Sequence, residues 1–146
     1  MDNSVIIRQF EAKDTERVIA LWHACELVKP WNDPDKDIAI KLAHDGELFL
    51  VAEQNGVVVA SVMGGYEGHR GWANYLVVDP EIQGAGLGRL MMDELELRLK
   101  DKGCPKINLQ VRATNQKVIE FYQALGFQID NSVSLGKRLD GVKYQA

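Results

Sequence analysis

The chain has 146 residues, 46% of them hydrophobic and 26% charged, and its formal net charge is −4. These values predict one globular domain over residues 1–146, and the acidic balance argues against a nucleic-acid partner, which needs a basic surface. No apolar run approaches the roughly 18 residues of a membrane span, and the N-terminal residues do not resemble a signal peptide. The two cysteines lack metal-ligand spacing, so we expect a cytoplasmic protein with free thiols, no metal and no membrane partner.

The first half of the sequence predicts a strand, two helices and a hairpin. Asp14 suits the N-cap of the first helix, which should end at Lys29-Pro30, and Asp33-Pro34 is typical of a cap followed by proline in a first helical turn. Asn55-Gly56 between two apolar runs predicts a tight hairpin, and Gly64-Gly65 should end or bend its second strand. In chain order we expect a strand over 5–10, helices from Asp14 to about 29 and from Pro34 to about Ala43, and strands over 48–52 and 57–63.

The second half predicts a crossover between two parallel strands. A strand from Trp72 to Val78 leads, through a short loop, into a long helix with apolar residues at four-residue steps, which Gly103 should close. Such a helix permits the next strand, 106–111, to lie parallel to the first. A helix from about Asn115 and strands over 127–129 and 134–139 follow. We expect an α/β (α+β) fold with a mixed, mostly antiparallel sheet, helices on both faces, and ligands at the carboxyl ends of the parallel strands.

The loop before the long helix contains three glycines, Gly84, Gly86 and Gly88. Uncovered backbone amides at the positive end of a helix dipole form an anion site, usually for phosphate, although a tight turn that needs small residues is the alternative. The loop is not a P-loop, because Gly88 is followed by Arg89 and leucine rather than by lysine and a hydroxyl residue. The dinucleotide pattern also fails, since Arg89 replaces its third glycine and the next strand ends at 110–112 without a carboxylate.

The pattern that remains, Gln83-x-x-Gly86-x-Gly88 after Val78-Asp79-Pro80, resembles the pyrophosphate-binding motif of the GNAT family of N-acetyltransferases. A second motif follows about thirty residues later, where Asn115 precedes a helix that carries Tyr122 and is followed by Gly126-Phe127. The resemblance covers residues 73–129 closely and 1–72 loosely. It implies an acetyl-CoA-dependent N-acetyltransferase whose two parallel strands splay apart to admit the pantetheine arm of the cofactor.

The resemblance also implies roles for individual residues. Backbone groups of the strand before the loop would pair with pantetheine, and one N–H would stabilise the oxyanion, although a plain buried strand would have the same sequence. Tyr122 would hydrogen-bond the cofactor sulfur and protonate the leaving thiolate, or it is a core aromatic; Asn115 would touch the cofactor, cap its helix, or both. The implied cofactor-binding residues are Leu76, Val77, Val78, Gln83, Gly84, Ala85, Gly86, Leu87, Gly88, Arg89, Asn115 and Tyr122.

The general base is where the sequence departs from the family pattern. Relatives carry a glutamate at one of two positions that here hold Asn74 and Gln110. An amide cannot accept a proton at neutral pH, but it can hold a water molecule or the substrate. Three alternatives stay open: Glu67 or His69 acts as the base, a water chain carries the proton, or the amine arrives neutral.

The acceptor is expected to be a primary amine of a small molecule or of a protein. Trp22, Glu26 and Trp31 lie around the first two helices, and aromatic and acidic residues suit a cationic amine; a tryptophan core beside a solvated acidic face explains them equally well. A homodimer is common among similar proteins. Two rival functions also stay open: a non-catalytic acyl-CoA-binding or sensor module on the same fold, and a nucleotide-binding protein that uses the loop for another phosphate.

Overall fold

The computed structural model describes residues 4–144 and divides the chain into two compact units, the first ending at Gln110 and the second beginning at Val111. The first unit contains a sheet and three α-helices, and the second contains one α-helix followed by irregular chain. In chain order the elements are β1 (Val5–Gln9), α1 (Thr15–Ala24), α2 (Pro34–Asp45), β2 (Phe49–Gln54), β3 (Val57–Tyr66), β4 (Gly71–Val78), α3 (Leu87–Asp101), β5 (Ile107–Leu109) and α4 (Gln116–Ala124).

The five strands form one sheet in the order β1-β2-β3-β4-β5. Neighbouring strands are antiparallel, except that β4 and β5 are parallel and joined through α3. Their ladder contains only three pairs and stops at Ala73 and Leu109, while β4 continues to Val78. The predicted mixed, mostly antiparallel sheet with splayed central strands is therefore confirmed, although β5 is shorter than the predicted 106–111.

Helices cover both faces of this sheet, as predicted. On one face α1 buries Leu21 and Trp22 against Phe49 of β2, and each large apolar side chain buried in this way contributes about 2 kcal/mol. On the other face α3 approaches β3 so closely that a Cβ on Gly64 would lie 2.3 Å from Leu95 Cδ1. Gly64 thus serves close packing and β3 runs through it to Tyr66, so the expectation that Gly64-Gly65 ends or bends the strand was wrong.

Local signals account for several helix and turn boundaries. The predicted cap of α2 is present, since Asp33 Oδ1 accepts a hydrogen bond from the Lys36 amide at 3.2 Å. Asn55 and Gly56 have φ values of 52° and 78°, as the predicted tight hairpin requires. α1 ends at Ala24 rather than at the predicted Lys29-Pro30. The cause is Glu26, whose left-handed φ of 60° turns the chain out of the helix.

Asp14 precedes α1 as predicted, but its side chain does not cap that helix. The carboxylate instead accepts hydrogen bonds from Arg8 at 2.8 and 2.9 Å and from the Glu11 amide at 2.8 Å. Burial alone would raise the pKa of Asp14, but these hydrogen bonds outweigh it and hold the pKa below its ordinary value. This ionised, buried carboxylate ties β1 to the start of α1.

The second unit departs from the sequence prediction. α4 begins directly after Asn115, as expected, but residues 125–144 form turns and irregular chain, so the strands predicted over 127–129 and 134–139 were wrong. An alternating pattern forms a strand only beside a partner strand and a face to bury. Within the described residues no strand is found over this segment, and Leu135 is 91% exposed. None of the helices over 4–144 has the length and apolar character needed to cross a membrane.

Candidate active site

Two glycines in left-handed conformations shape the loop between β4 and α3. Gly84 and Gly86 have φ values of 92° and 82°, and apart from the adjacent residues no atom of the described chain lies within 4 Å of a Cβ built on either. The backbone conformation, rather than crowding by the protein, therefore requires glycine at both positions. Residues 83–86 are exposed, so a ligand can reach their backbone groups.

The loop opens into α3, a helix of 15 residues. The Leu90 amide donates to the Gly86 carbonyl at 3.1 Å, while helical geometry leaves the amides of Leu87 and Gly88 without an acceptor inside the helix. The first turn of α3 contains no acidic residue, so the helix itself supplies no carboxylate that would compete with an anion at the positive end of its dipole. The Leu87 side chain is buried, so Leu87 offers an incoming ligand its backbone.

β4 presents an unpaired edge immediately before this loop. On its β3 side the ladder continues as far as Val78, opposite Ala60, but on its β5 side the last paired residue is Ala73. The predicted cofactor-binding stretch 76–78 therefore lies in the part of β4 that has left β5. An extended ligand with amide groups can add to such an edge as a further strand.

Side chains hold the carboxyl end of β4 in place, and two of them, Arg17 and Cys25, were not among the predicted site residues. The Val78 carbonyl accepts hydrogen bonds from Gln83 Nε2 at 3.1 Å and from the Cys25 thiol at 3.4 Å. Asp79 accepts one from Arg17 of α1 at 2.8 Å. Arg17 and Asp79 are 62 residues apart, so no local sequence pattern predicts their contact. Together these bonds fix the point at which the glycine loop begins.

A β-bulge within β4 directs Tyr75 toward α1 and α2. Tyr75 and Leu76 lie opposite the single residue Val62 of β3, which is the arrangement of a bulge, and Tyr75 has a φ of 52°. The Tyr75 ring stacks on Trp22 at 4.1 Å, and its hydroxyl donates to Asp37 Oδ2 at 3.1 Å. Burial and the adjacent Asp37 carboxylate raise the pKa of Tyr75 to about 12, so the hydroxyl stays protonated at neutral pH. The sequence analysis missed both residues.

The two amides that the family resemblance aligns with carboxylates occupy matching positions. Asn74 and Gln110 directly follow the last paired residues of β4 and β5, and both are exposed. They therefore flank the point at which the two strands begin to separate, where water reaches them.

The two residues considered as alternative bases lie in the exposed turn between β3 and β4. The Glu67 carboxylate accepts hydrogen bonds from the backbone amides of Arg70 and His69. These bonds lower the pKa of Glu67, which makes it a weaker base. The local geometry of Glu67 is that of a side chain that holds its own turn.

The three residues expected around the acceptor differ in accessibility. Trp22 is fully buried, and its indole Nε1 has no hydrogen-bond partner among the described residues. Glu26 is exposed just beyond α1, and Trp31 is half-buried between α1 and α2. Trp22 thus packs the core, whereas Glu26 and Trp31 retain surface that a ligand could touch.

In the second unit, one residue of the downstream motif directly precedes α4 and the other lies within it. Asn115 occupies the N-cap position, but its side chain forms no capping hydrogen bond and is exposed. The Tyr122 ring packs edge-on against Phe121 and Phe127, with centroid distances of 5.0 and 5.5 Å. Burial raises the pKa of Tyr122 to about 12, so this phenol is protonated at neutral pH.

Comparison with known proteins identifies the class to which this fold and loop belong. A model of the acetyltransferase (GNAT) family matches residues 16–127, and the chain belongs to that family. An acetyltransferase of Yersinia pseudotuberculosis is 52% identical to it over 133 residues, which cover 91% of this chain and 94% of the relative.

Solved structures share the fold. Ard1 from Thermoplasma volcanium superposes with a TM-score of 0.78 at 24% identity, covering 86% of this chain and 84% of that one. The aminoglycoside N-acetyltransferase AAC(6')-Iy, solved in complex with CoA, gives a TM-score of 0.73 at 17% identity, covering 95% and 97%. The family membership and the named relatives make this chain an N-acetyltransferase, as the sequence predicted.

Proposed function

We propose that this N-acetyltransferase takes its acetyl group from acetyl-CoA and passes it to a primary amine by direct attack in a ternary complex. The observation that carries the proposal is the order of features along the chain: the unpaired edge of β4 is followed at once by the left-handed glycine loop and the start of α3. A strand edge suits the amides of pantetheine, and the helix start suits a pyrophosphate. The CoA complex of AAC(6')-Iy supports the same donor here.

On the donor side, most of the proposed contacts with the cofactor come from backbone groups. The amides of residues 83–89 would hold the pyrophosphate, and those of 76–78 would pair with pantetheine, one of them polarising the thioester carbonyl. As the amine nitrogen attacks the carbonyl carbon, the new C–N bond forms, the C–S bond breaks and the amine loses a proton. Asn115, also named by the family resemblance, would touch the cofactor from the start of α4.

Tyr122 would assist the departing sulfur as a hydrogen-bond donor. Its pKa of about 12 lies above the value of about 10 for an ordinary phenol, which is close to the pKa of an alkyl thiol. Complete proton transfer from the phenol to the thiolate is therefore uphill, whereas a hydrogen bond from the hydroxyl stabilises the developing charge. The thiolate then takes its proton from water.

The acceptor proton would leave through water as well. Asn74 and Gln110 can orient a water molecule at the mouth of the split without accepting the proton themselves, and the carboxylate of Glu67 is held by backbone amides. A positioned base is worth about 100- to 10,000-fold in rate. Without one, the rate should follow the fraction of acceptor that is already neutral and rise with pH.

Thermal unfolding with added ligands tests the donor. Acetyl-CoA at about 100 times its Kd should stabilise the protein by about 2.7 kcal/mol, while ATP and NAD should give no shift; the reverse result would reject the proposal. Release of the CoA thiol with a panel of primary amines then tests transfer. Stabilisation by acetyl-CoA without product from any amine would favour the acyl-CoA-binding module instead.

A further inference from the structure

The side chains of Tyr75 and Asp37, here called the Tyr75–Asp37 pair, have no part in the donor chemistry. Ala73 pairs with Gly64, which faces α3, so regular alternation would turn Tyr75 toward α3 as well. The bulge turns it to the opposite face, where it meets Asp37 of α2. A left-handed conformation costs a non-glycine residue about 1–2 kcal/mol, so this orientation of Tyr75 is maintained against an intrinsic preference.

The pair lies beside the place where the strands separate. The β4–β5 ladder ends at Ala73, and the intervening residue, Asn74, is exposed. Tyr75 is thus the second residue of the unpaired edge, only three residues before Val78. Both members of the pair are half-buried rather than enclosed, so a small molecule entering the split from the α1–α2 side can reach them.

The chemistry of the pair suits a cation. The Tyr75 hydroxyl donates its hydrogen bond to Asp37, and the hydroxyl oxygen retains lone pairs that can accept a hydrogen bond from an N–H group. Asp37 contributes the negative charge. The stack of Tyr75 on fully buried Trp22, with rings 13° from parallel, fixes the ring, so the hydroxyl need not be ordered when a ligand arrives.

Building on the proposed acetyl transfer, we propose that the Tyr75–Asp37 pair binds a positively charged group of the acceptor, and that this group is distinct from the amine that is acetylated. A carboxylate favours the protonated form of an amine and raises its pKa. The attacking amine must be neutral, so the pair is poorly suited to hold the nucleophile and well suited to a second ammonium group. The acceptor class is therefore a diamine or a longer polyamine.

Two acceptors of equal chain length test this inference, with acetyl-CoA as donor. For the wild type, kcat/KM for 1,4-diaminobutane should exceed that for butylamine at least tenfold, as a charge-assisted hydrogen bond would give. Asp37→Asn, which removes the charge, should reduce this ratio to nearly one, chiefly by raising KM for the diamine. Tyr75→Phe removes one acceptor and keeps the charge, so it should lower the ratio partway. Tyr75→Phe keeps the ring that stacks on Trp22, so it decides the matter if Asp37→Asn fails to fold.

Asp35→Asn is the matched control, because it makes the same change of charge at an exposed position of the first turn of α2. It should retain the preference for the diamine. Equal kcat/KM for the two amines in the wild type, or an unchanged ratio in both variants of the pair, would overturn the inference. If acetyl-CoA binds but no amine is acetylated, the proposed acetyl transfer is wrong, and calorimetric titration of 1,4-diaminobutane into the CoA-bound protein tests the Tyr75–Asp37 pair separately. Binding that Tyr75→Phe weakens would support the pair as a cation site, and no binding would overturn it.

Discussion

The donor side and the acceptor side of the proposed site depend on different parts of the chain. The glycine loop and the free edge of β4 offer backbone groups, and their specificity lies in φ values that glycine alone adopts easily. The Tyr75–Asp37 pair offers side chains that 38 residues separate in sequence. A site built from backbone groups requires glycines at fixed spacing and is therefore visible in the sequence. A site built from side chains can be assembled by tertiary packing without any local sequence pattern.

The largest effect is expected at Tyr122, the side chain that the proposal places against the departing sulfur on a donor side built mainly from backbone groups. Tyr122→Phe removes the hydroxyl and keeps the ring against Phe121 and Phe127. We expect kcat to fall about 100-fold, the usual cost of one donor to a developing charge, while calorimetry finds acetyl-CoA affinity nearly unchanged. Tyr144→Phe, at a half-exposed tyrosine, is the control, and wild-type turnover in Tyr122→Phe would remove the hydroxyl from the mechanism.

A smaller effect, a loss of acetyl-CoA affinity, is expected at Gly86, because a donor side built from backbone groups should be sensitive to backbone conformation. Gly86→Ala puts a side chain on a residue with φ of 82°, at a cost of about 1–2 kcal/mol. The free loop should relax out of this conformation, so that binding has to restore it, and acetyl-CoA affinity should fall by up to about 5- to 30-fold. Gly56→Ala imposes the same strain at φ of 78° in the β2–β3 hairpin. Titration calorimetry should find weaker binding in the first variant and wild-type binding in the second; equal losses in both would mean that the loop has no special role.

The accuracy of the sequence predictions follows the same division. The helix start predicted from Asp33-Pro34 and the hairpin predicted from Asn55-Gly56 are both confirmed, because those signals act within a few residues. Gly64-Gly65 misled, because the need for glycine there comes from α3, whose Leu95 packs on Gly64. The strands predicted over 127–129 and 134–139 failed for the related reason that alternation describes a face and not the strand that must cover it.

At the site, the glycine loop and the splayed strands could be predicted, since one is a local motif and the other follows from the family. The anchors of the β4 end could not. Arg17 and Cys25 are ordinary helix residues until the fold brings them to Asp79 and Val78. Tyr75 was missed for a different reason: a period of two counted from Ala73 assigns it to the face of α3, and the sequence does not show that a bulge interrupts the strand before Val77.

The smallest effect is expected at Glu26, on the acceptor side. There the backbone conformation affects stability and the carboxylate could affect acceptor binding, and the two contributions can be separated. Its φ of 60° is left-handed, so Glu26→Gly should relieve about 1 kcal/mol of strain against about 0.5 kcal/mol of added chain entropy. Urea unfolding should therefore show a gain of about 0.5 kcal/mol. Glu26→Gln removes the charge and leaves the backbone unchanged, so it should leave stability unaltered. A weaker preference for a diamine in both variants would assign the Glu26 carboxylate to the acceptor side, whereas a gain in stability alone would make Glu26 the residue that ends α1.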